Sequence, residues 1–173
     1  WKDKGISVAG SVTLNELANT TSSYIARGSD VEGANILLSS VDDAKLMAIA
    51  GTLSYGGKAG VGTSVALNYD DSDAFSYISA SDVSASGNII ALADIKPDFL
   101  AVSASLVASK GNLALNCAVA YNDLDNQAKA YITGYKTTDG VSADGNIALT
   151  AVDDMKILTI AGQVAVATGS SSA

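Results

Sequence analysis

Hydrophobic and polar residues alternate along most of this chain with a period of two. In the segment that ends at Asn15, one side carries Val8, Gly10, Val12 and Leu14, and the residues between them are small or polar. Strict alternation is typical of a β-strand with one buried face, whereas an amphipathic helix repeats every 3.6 residues. We therefore predict β-strands with the valine and leucine side turned inward. The same face recurs downstream as Val61, Thr63, Val65, Leu67 and as Leu115, Cys117, Val119, Tyr121.

These alternating segments belong to a long internal repeat. A Val-x-Leu-Asn motif, with Tyr for Leu in the third copy, ends at Asn15, Asn68 and Asn122, which are 53 and 54 residues apart. Nine residues after each asparagine comes a Tyr-Ile pair, and a second asparagine then begins another apolar segment. The tyrosines are Tyr24, Tyr77 and Tyr131, and the second asparagines are Asn35, Asn88 and Asn146. Because asparagine tolerates left-handed backbone angles, we predict that all six asparagines are structural turn residues.

A long repeat of short strands predicts an all-β fold, namely a right-handed parallel β-helix, or β-solenoid. The chain would form one segment, 1–173, built from three repeats of about 53–58 residues with approximate bounds 5–58, 59–111 and 112–173. Each unit contains about four strands, which we interpret as two coils per unit and a rod roughly 30 Å long. An antiparallel β-sandwich also has short alternating strands, but it does not explain columns that match from unit to unit.

Three positions refine this alignment. Pro97, the only proline, stands in the column of Ala44 and Met155, which predicts a turn or a strand edge because proline cannot donate to a ladder. The third unit has four extra residues within Gly134 to Gly140, which predicts a protruding loop. Cys117 shares a column with small residues, and we interpret it as a small core residue.

Composition narrows the function. The chain has 18 acidic and 10 basic residues, a net charge of -8 and a single arginine, so nucleic acid and anionic membrane surfaces are not expected partners. No apolar run approaches the ~20 residues that span a bilayer, and we expect no membrane insertion of this segment. Histidine is absent and there is one cysteine, which nearly excludes thiolate or imidazole metal sites.

Carboxylates are the remaining candidates for chemistry, and they cluster after the repeated motifs. Because these clusters recur by unit and are expected on hydrated turns, we predict no catalytic, cofactor-binding or metal residues and no enzymatic activity. Calcium held between carboxylates on consecutive turns is the remaining cofactor candidate. The clusters are Asp42-Asp43, Asp70-Asp71-Asp73, Asp94 with Asp98, Asp123-Leu124-Asp125, and Asp153-Asp154.

Tyr24, Tyr77 and Tyr131 would alternate with inward isoleucines and form a row on the outside. An exposed tyrosine row is a candidate contact surface for a glycan or a protein partner, although tyrosine is also simply a good strand residue. The first alternative function is therefore a carbohydrate- or calcium-binding β-helix module. The second, less favoured, is a polysaccharide-degrading β-helix enzyme.

The repeated motifs resemble the passenger domains of filamentous autotransporter adhesins of the leukotoxin and filamentous-haemagglutinin-like type. The pattern is Gly-x-x-x-Val-Ala-Leu-Asn, then Ala-x-x-Tyr-Ile, Val-x-Ala-x-Gly-Asn-Ile-x-Leu-x-Ala, Asp-Asp-x-Lys-Ile and Ile-Ala-Gly. Its clearest copies are at Gly62 to Asn68, Ala128 to Ile132, Val141 to Ala151, Asp153 to Ile157 and Ile160 to Gly162.

This resemblance covers essentially the whole chain, and it implies a long extracellular β-helix on a bacterial cell surface. The parent would be anchored in the outer membrane, and this segment would serve as the structural shaft or adhesive part of a filament involved in virulence. The resemblance supplies no catalytic motif. Since the chain starts and stops inside the pattern, we expect a fragment of a larger repetitive protein. Its partners would be neighbouring repeats or other copies end to end, and a host-surface protein or glycan.

Overall fold

A computed structural model describes residues 5–134 and 140–169, and all regular elements in this part of the chain are β-strands. The first unit contains β1 (Ile6–Ala26), β2 (Asp30–Gly33), β3 (Ile36–Asp42) and β4 (Lys45–Gly56). The middle unit contains β5 (Ala59–Ser79), β6 (Asp82–Ala85), β7 (Ile89–Ile95) and β8 (Asp98–Ser109). The third contains β9 (Leu113–Leu124), β10 (Gln127–Thr133), β11 (Val141–Ala143), β12 (Ile147–Asp153) and β13 (Lys156–Ala167).

The strands form four parallel sheets, and each sheet takes strands from all three units. Sheet A holds β1, β5, β9 and β10; sheet B holds β2, β6 and β11; sheet C holds β3, β7 and β12; sheet D holds β4, β8 and β13. Each residue pairs with its counterpart one unit away, as Asn68 does with Asn15 on one side and Asn122 on the other. The prediction of an all-β, parallel architecture is confirmed, and the antiparallel sandwich is wrong.

The number of coils per unit was predicted incorrectly. The chain passes through sheets A, B, C and D once before it returns to sheet A, so each unit contributes one layer of strands and not two. The reason is that β1 and β5 are 21 residues long and continue through the point where the sequence suggested a turn after the first asparagine. Three layers at ~4.8 Å spacing give a stack roughly 14 Å thick, about half the predicted length.

The interior has two parts with different side chains. Where sheet B and sheet C face the second half of sheet A, the core is aliphatic and includes Leu38, Ile78, Val83 and Ile89. Where sheet D faces the first half of sheet A, the interior is a layer of alanine and serine, which we call the serine–alanine seam. Its buried members include Ala48, Ala50, Ser64, Ala66, Ala101 and Ser103.

The seam reverses the predicted orientation of the first strand of each unit. Val8 is 75% exposed and Leu14 is 56% exposed, whereas Ala66 on the opposite face of the sheet is 0% exposed. The hydroxyls of Ser64 and Ser103 bond each other at 2.7 Å, so the two sheets lie closer than the ~10 Å of ordinary face-to-face packing. A gap this narrow admits a valine only opposite glycine, as with Val107 against Gly60 and Gly62, and the valines of the first half of sheet A therefore point outward.

The prediction that Cys117 is a core residue is wrong for the same reason. Its side chain lies in the outward column of β9 and is exposed.

The connections between strands agree with the sequence pattern where they are described. Pro97 lies between β7 and β8, and its carbonyl accepts a bond from the amide of Lys156 at 2.9 Å, so the predicted turn is confirmed. Asn35, Asn88 and Asn146 each lie immediately before a strand of sheet C. The loop predicted within Gly134 to Gly140 falls mostly on residues 135–139, outside the described residues.

The seam can be tested with two neighbouring positions on β5. We expect Ala66→Leu to lower the free energy of unfolding by about 2–3 kcal/mol, because added volume in a closely packed layer forces the sheets apart. Val65→Leu, on the outward face of the same strand, should change it by less than about 0.5 kcal/mol. Urea unfolding followed by circular dichroism measures both. A larger loss for Val65→Leu would mean that the inward face is the valine face after all.

Candidate functional site

The tyrosine row lies on the outer face of the second half of sheet A. Tyr77 stacks on Tyr24 with ring centroids 5.2 Å apart, and on Tyr131 with centroids 4.9 Å apart. The planes of each pair are within 10° of parallel. Tyr24 and Tyr131 are exposed, and the isoleucine beside Tyr77, Ile78, is 0% exposed. The structure therefore places the row outside and the isoleucines inside; contact with a partner remains a prediction.

Stacking restricts how this row can bind. Inside the row each ring face is covered by the neighbouring ring, so a sugar has free aromatic faces only at the two ends, on Tyr24 and Tyr131. What the row offers along its length is ring edges and hydroxyls, one per layer. The adjacent column adds a cation–π contact, with Lys129 Nζ 5.9 Å from the centre of the Phe75 ring. A flat glycan platform is thus poorly matched to this geometry.

Asn15, Asn68 and Asn122 are not turn residues, which corrects their predicted role. They lie within β1, β5 and β9 and point into the interior. Asn15 Nδ2 donates to Asn68 Oδ1 at 2.8 Å, and Asn68 Nδ2 donates to Asn122 Oδ1 at 2.7 Å. The reason they prefer the interior is this amide ladder, in which each side chain both donates and accepts along the stacking direction.

The second set of asparagines forms another ladder at the entrance to sheet C. The amide of Asn88 donates to Asn35 Oδ1 at 2.9 Å, and the amide of Asn146 donates to Asn88 Oδ1 at 2.9 Å. Each side chain therefore satisfies a backbone donor in the next layer. The two ladders hold successive units in register.

The acidic residues do not all lie on hydrated turns as predicted. Asp70 is inside β5 and is 4% exposed; its Oδ1 accepts from Ser72 Oγ at 2.6 Å, and its Oδ2 has no partner within the described residues. Asp42 is also buried and accepts from Asn19 Nδ2 at 2.7 Å. Alternation along a long strand explains this, because every second residue of β5 points inward whatever its charge.

Outward carboxylates gather in an open depression of about 310 Å³ on sheet A. It is lined by Glu16, Asp71, Asp123 and Asp125 together with Tyr69. Nearby, Asp123 raises the pKa of Tyr121 above its usual range, because its negative charge disfavours the phenolate. Within the described residues, no group of three or more acidic, cysteine or histidine side chains is arranged to hold a metal ion.

The turn between sheets C and D carries paired charges. Lys96 bonds Asp94, and this hydrogen bond, together with the attraction of the carboxylate, raises the pKa of the lysine. In the third unit, burial followed by the neighbouring charge of Asp154 raises the pKa of Asp153. Lys45 and Asp98 lie 3.5 Å apart on the exposed surface, where an ion pair contributes little. These charges are arranged as pairs beside turns, and several of them line a small depression of about 210 Å³.

The small residues between the valines of β5 were a sequence signal that would have predicted the serine–alanine seam. Between the valines of β5 stand Gly60, Gly62, Ser64 and Ala66, and residues this small suit a thin interior and cannot fill a wide one. Because the interior between sheets A and D is thin, most large apolar residues of both sheets lie on their outer faces.

The amide ladder predicts a position-dependent loss of stability. Replacing Asn68 by Leu should lower the free energy of unfolding by about 3 kcal/mol, because the Leu100 carbonyl and the side chains of Asn15 and Asn122 each lose a hydrogen-bond partner. The matched change Asn15→Leu, in the half-buried outer layer, breaks one ladder bond and should lower it by about 1 kcal/mol. Equal losses in urea unfolding would show that the ladder is not what sets the stability.

Two further findings bear on identity. Within residues 5–134 and 140–169 no helix is long and apolar enough to cross a bilayer. Comparison of the chain with protein-family models, curated proteins and solved structures gives no match. The function proposed for this chain therefore rests on its repeat pattern, its stacking geometry and the resemblance of its motifs.

Proposed function

We propose that this chain is a segment of a right-handed parallel β-solenoid and that it serves as the structural shaft or adhesive segment of a bacterial cell-surface filament. The observation that carries the proposal is the difference in burial between equivalent residues. Ile89 and Phe99 of the middle unit are 0% exposed, whereas Ile147 and Ile157 in the same columns of the third unit are 45% and 52% exposed. A further unit stacked on the third would cover them.

The backbone supports the same arrangement. Among the described residues, the third-unit strands β12 and β13 each pair on one side only. An open parallel edge presents amides and carbonyls to any strand with the same spacing, and the units of this chain share that spacing. Right-handed winding is favoured because parallel strands joined by a crossover in one sheet are right-handed in about 98% of cases. The extracellular bacterial location comes from the resemblance to autotransporter passenger domains alone.

The alternative of a carbohydrate-binding module has less support, because the tyrosine faces within the row are already stacked on each other. A shaft needs only that successive units repeat their interior contacts, and the two asparagine ladders and the seam provide these. We therefore assign those outward positions that differ between units to contacts outside the fibre axis.

Axial stacking can be tested at the open edge of the third unit. The backbone amides of Asp154, Lys156 and Thr168 donate to carbonyls of the middle unit at 2.9 Å in each case. Because amide direction alternates along a strand, Ala151 and Ala161 present their amides to the open edge. The chain should form rods at high concentration, seen by sedimentation velocity and electron microscopy, and Ala151→Pro with Ala161→Pro should shorten them by removing two donors.

The matched control is Ala151→Ser with Ala161→Ser, which keeps both amides. Serine already occupies these columns in other units, as Ser40 and Ser103, so the control should assemble like the parent chain. Circular dichroism checks that the proline variant is folded. Absence of rods at every concentration, or rods of equal length in the folded proline variant, would contradict axial stacking.

The location is tested separately. An antibody raised against this chain should label intact cells of its source, because a shaft outside the cell is accessible without permeabilisation. Immunofluorescence of intact and permeabilised cells measures this. Labelling that appears only after permeabilisation would place the protein inside the cell and refute the surface assignment while leaving the solenoid geometry untouched.

A further inference from the structure

The outer face of sheet D is almost entirely apolar. Of its 18 outward positions in β4, β8 and β13, the only charged ones are Lys45, Asp98 and Lys156, which share the first column. The following columns place large aliphatic side chains in solvent, among them Ile49, Leu53, Leu106, Ile160 and Val164. Exposed apolar surface of this continuity marks a contact site in soluble proteins.

A groove crosses this face parallel to the stacking direction. Its floor is the column Gly51, Ala104 and Gly162, which takes one small residue from each unit. The groove encloses about 620 Å³, and its lining includes Leu106 and Val164 on one wall. The opposite wall is the column Ile49, Val102 and Ile160. The face is therefore corrugated, with a ridge of large residues on each side of a floor of small ones.

We propose that two copies of this chain pair laterally through the outer face of sheet D, with the ridge of each copy in the groove of the other. Ridge and groove columns are two residues apart along the strand, a distance of roughly 6.7 Å. We place a two-fold axis parallel to the stacking direction, between the two copies and midway between the ridge and groove columns. This axis puts Leu106 of one copy over Ala104 of the other, and Ala104 of the first copy under Leu106 of the second. The same operation places Leu53 over Gly51 and Val164 over Gly162.

A second copy of this chain fits the face better than other occupants because the corrugation is self-complementary. The pairing also leaves the charged column of Lys45, Asp98 and Lys156 outside the overlap, so no charge is buried. A lipid surface is disfavoured, because the chain carries a net charge of -8 and anionic lipid headgroups attract clusters of basic residues, which this face lacks.

The area of contact predicts how strong the pairing is. Four overlapping columns, about 27 Å, across three layers, about 14 Å, give roughly 390 Å² of projected face per copy. This is about half of the ~800 Å² per partner in a stable complex, so a three-unit chain should dimerise weakly. Each additional unit in a longer array would add about 130 Å², and because both rods run in the same direction the interface lengthens with the array.

Filling the groove tests the proposal. A β-carbon at Gly162 would meet nothing within 4 Å, and one at Gly51 would meet the Ala104 carbonyl at an ordinary 3.7 Å, so valine fits both positions in the folded chain. Gly51→Val with Gly162→Val enlarges the apolar surface yet obstructs the ridge of the partner. Sedimentation equilibrium should show a dimer for the parent chain and at least a tenfold higher dissociation constant for this variant.

The matched control adds valines to the outer face of sheet A, as Gly10→Val with Thr63→Val. A β-carbon at Gly10 lies 3.6 Å from the Thr63 side chain, an ordinary contact, and the control should dimerise like the parent chain. Stronger or unchanged dimerisation of the groove variant, or an equal loss in the control, would overturn the proposal. So would flotation of the chain with phosphatidylcholine vesicles in the absence of a dimer.

Lateral pairing does not rest on axial stacking, and the two fail separately. The folded Ala151→Pro with Ala161→Pro variant should lose rods and keep the lateral dimer. The groove variant should keep rods, but as single and not paired shafts in electron micrographs. Loss of both assemblies in either folded variant would show that one surface serves both and would overturn the assignment of pairing to sheet D.

Discussion

The narrow contact between sheet A and sheet D is the constraint on which most other features depend. Serine and threonine hydroxyls donate across it: Thr13 Oγ1 to the Ile49 carbonyl at 2.8 Å and Ser103 Oγ to the Ser64 carbonyl at 2.8 Å. Such bonds hold the sheets closer than aliphatic side chains would allow. Alanine, serine and glycine fill most of this layer, Val107 enters it opposite Gly60 and Gly62, and the valines of β1, β5 and β9 are turned outward. The seam contributes closeness and hydrogen bonds in place of buried apolar area.

The aliphatic half of the interior compensates for that thin layer. Ile78, Val83 and Ile89 are almost completely buried between sheets A, B and C, and they supply the area that hydrophobic stabilisation requires. This burial is complete only in the middle unit, because a layer needs a neighbour on each side. Stability is therefore shared between units. The middle layer is stabilised by a neighbour on each side, and each outer layer, which has one neighbour, keeps a free edge.

Repetition also explains the ladders. When each residue pairs with its counterpart 53 or 54 positions on, a side chain that can both donate and accept meets a copy of itself in the next layer. Asparagine amides and tyrosine rings both do this, the first inside and the second outside. Such columns specify register strongly and bind ligands weakly, because their polar groups and ring faces are already occupied by their own copies.

The sequence by itself determined that the chain forms parallel β-strands and which residues of the three units share a column, because those properties depend on alternation and on matching spacing, but it did not determine the length of β1 and β5. It also placed the tyrosine row outside and Pro97 in a turn. Only the tertiary structure decided which face of the first half of sheet A is inside, where Asn15, Asn68 and Asn122 lie, and that each unit forms one layer of the stack. Alternation is symmetric, so it shows that two faces differ without showing which is buried. That choice depended on the distance between sheets A and D, which the serine and alanine side chains set only when the two sheets meet.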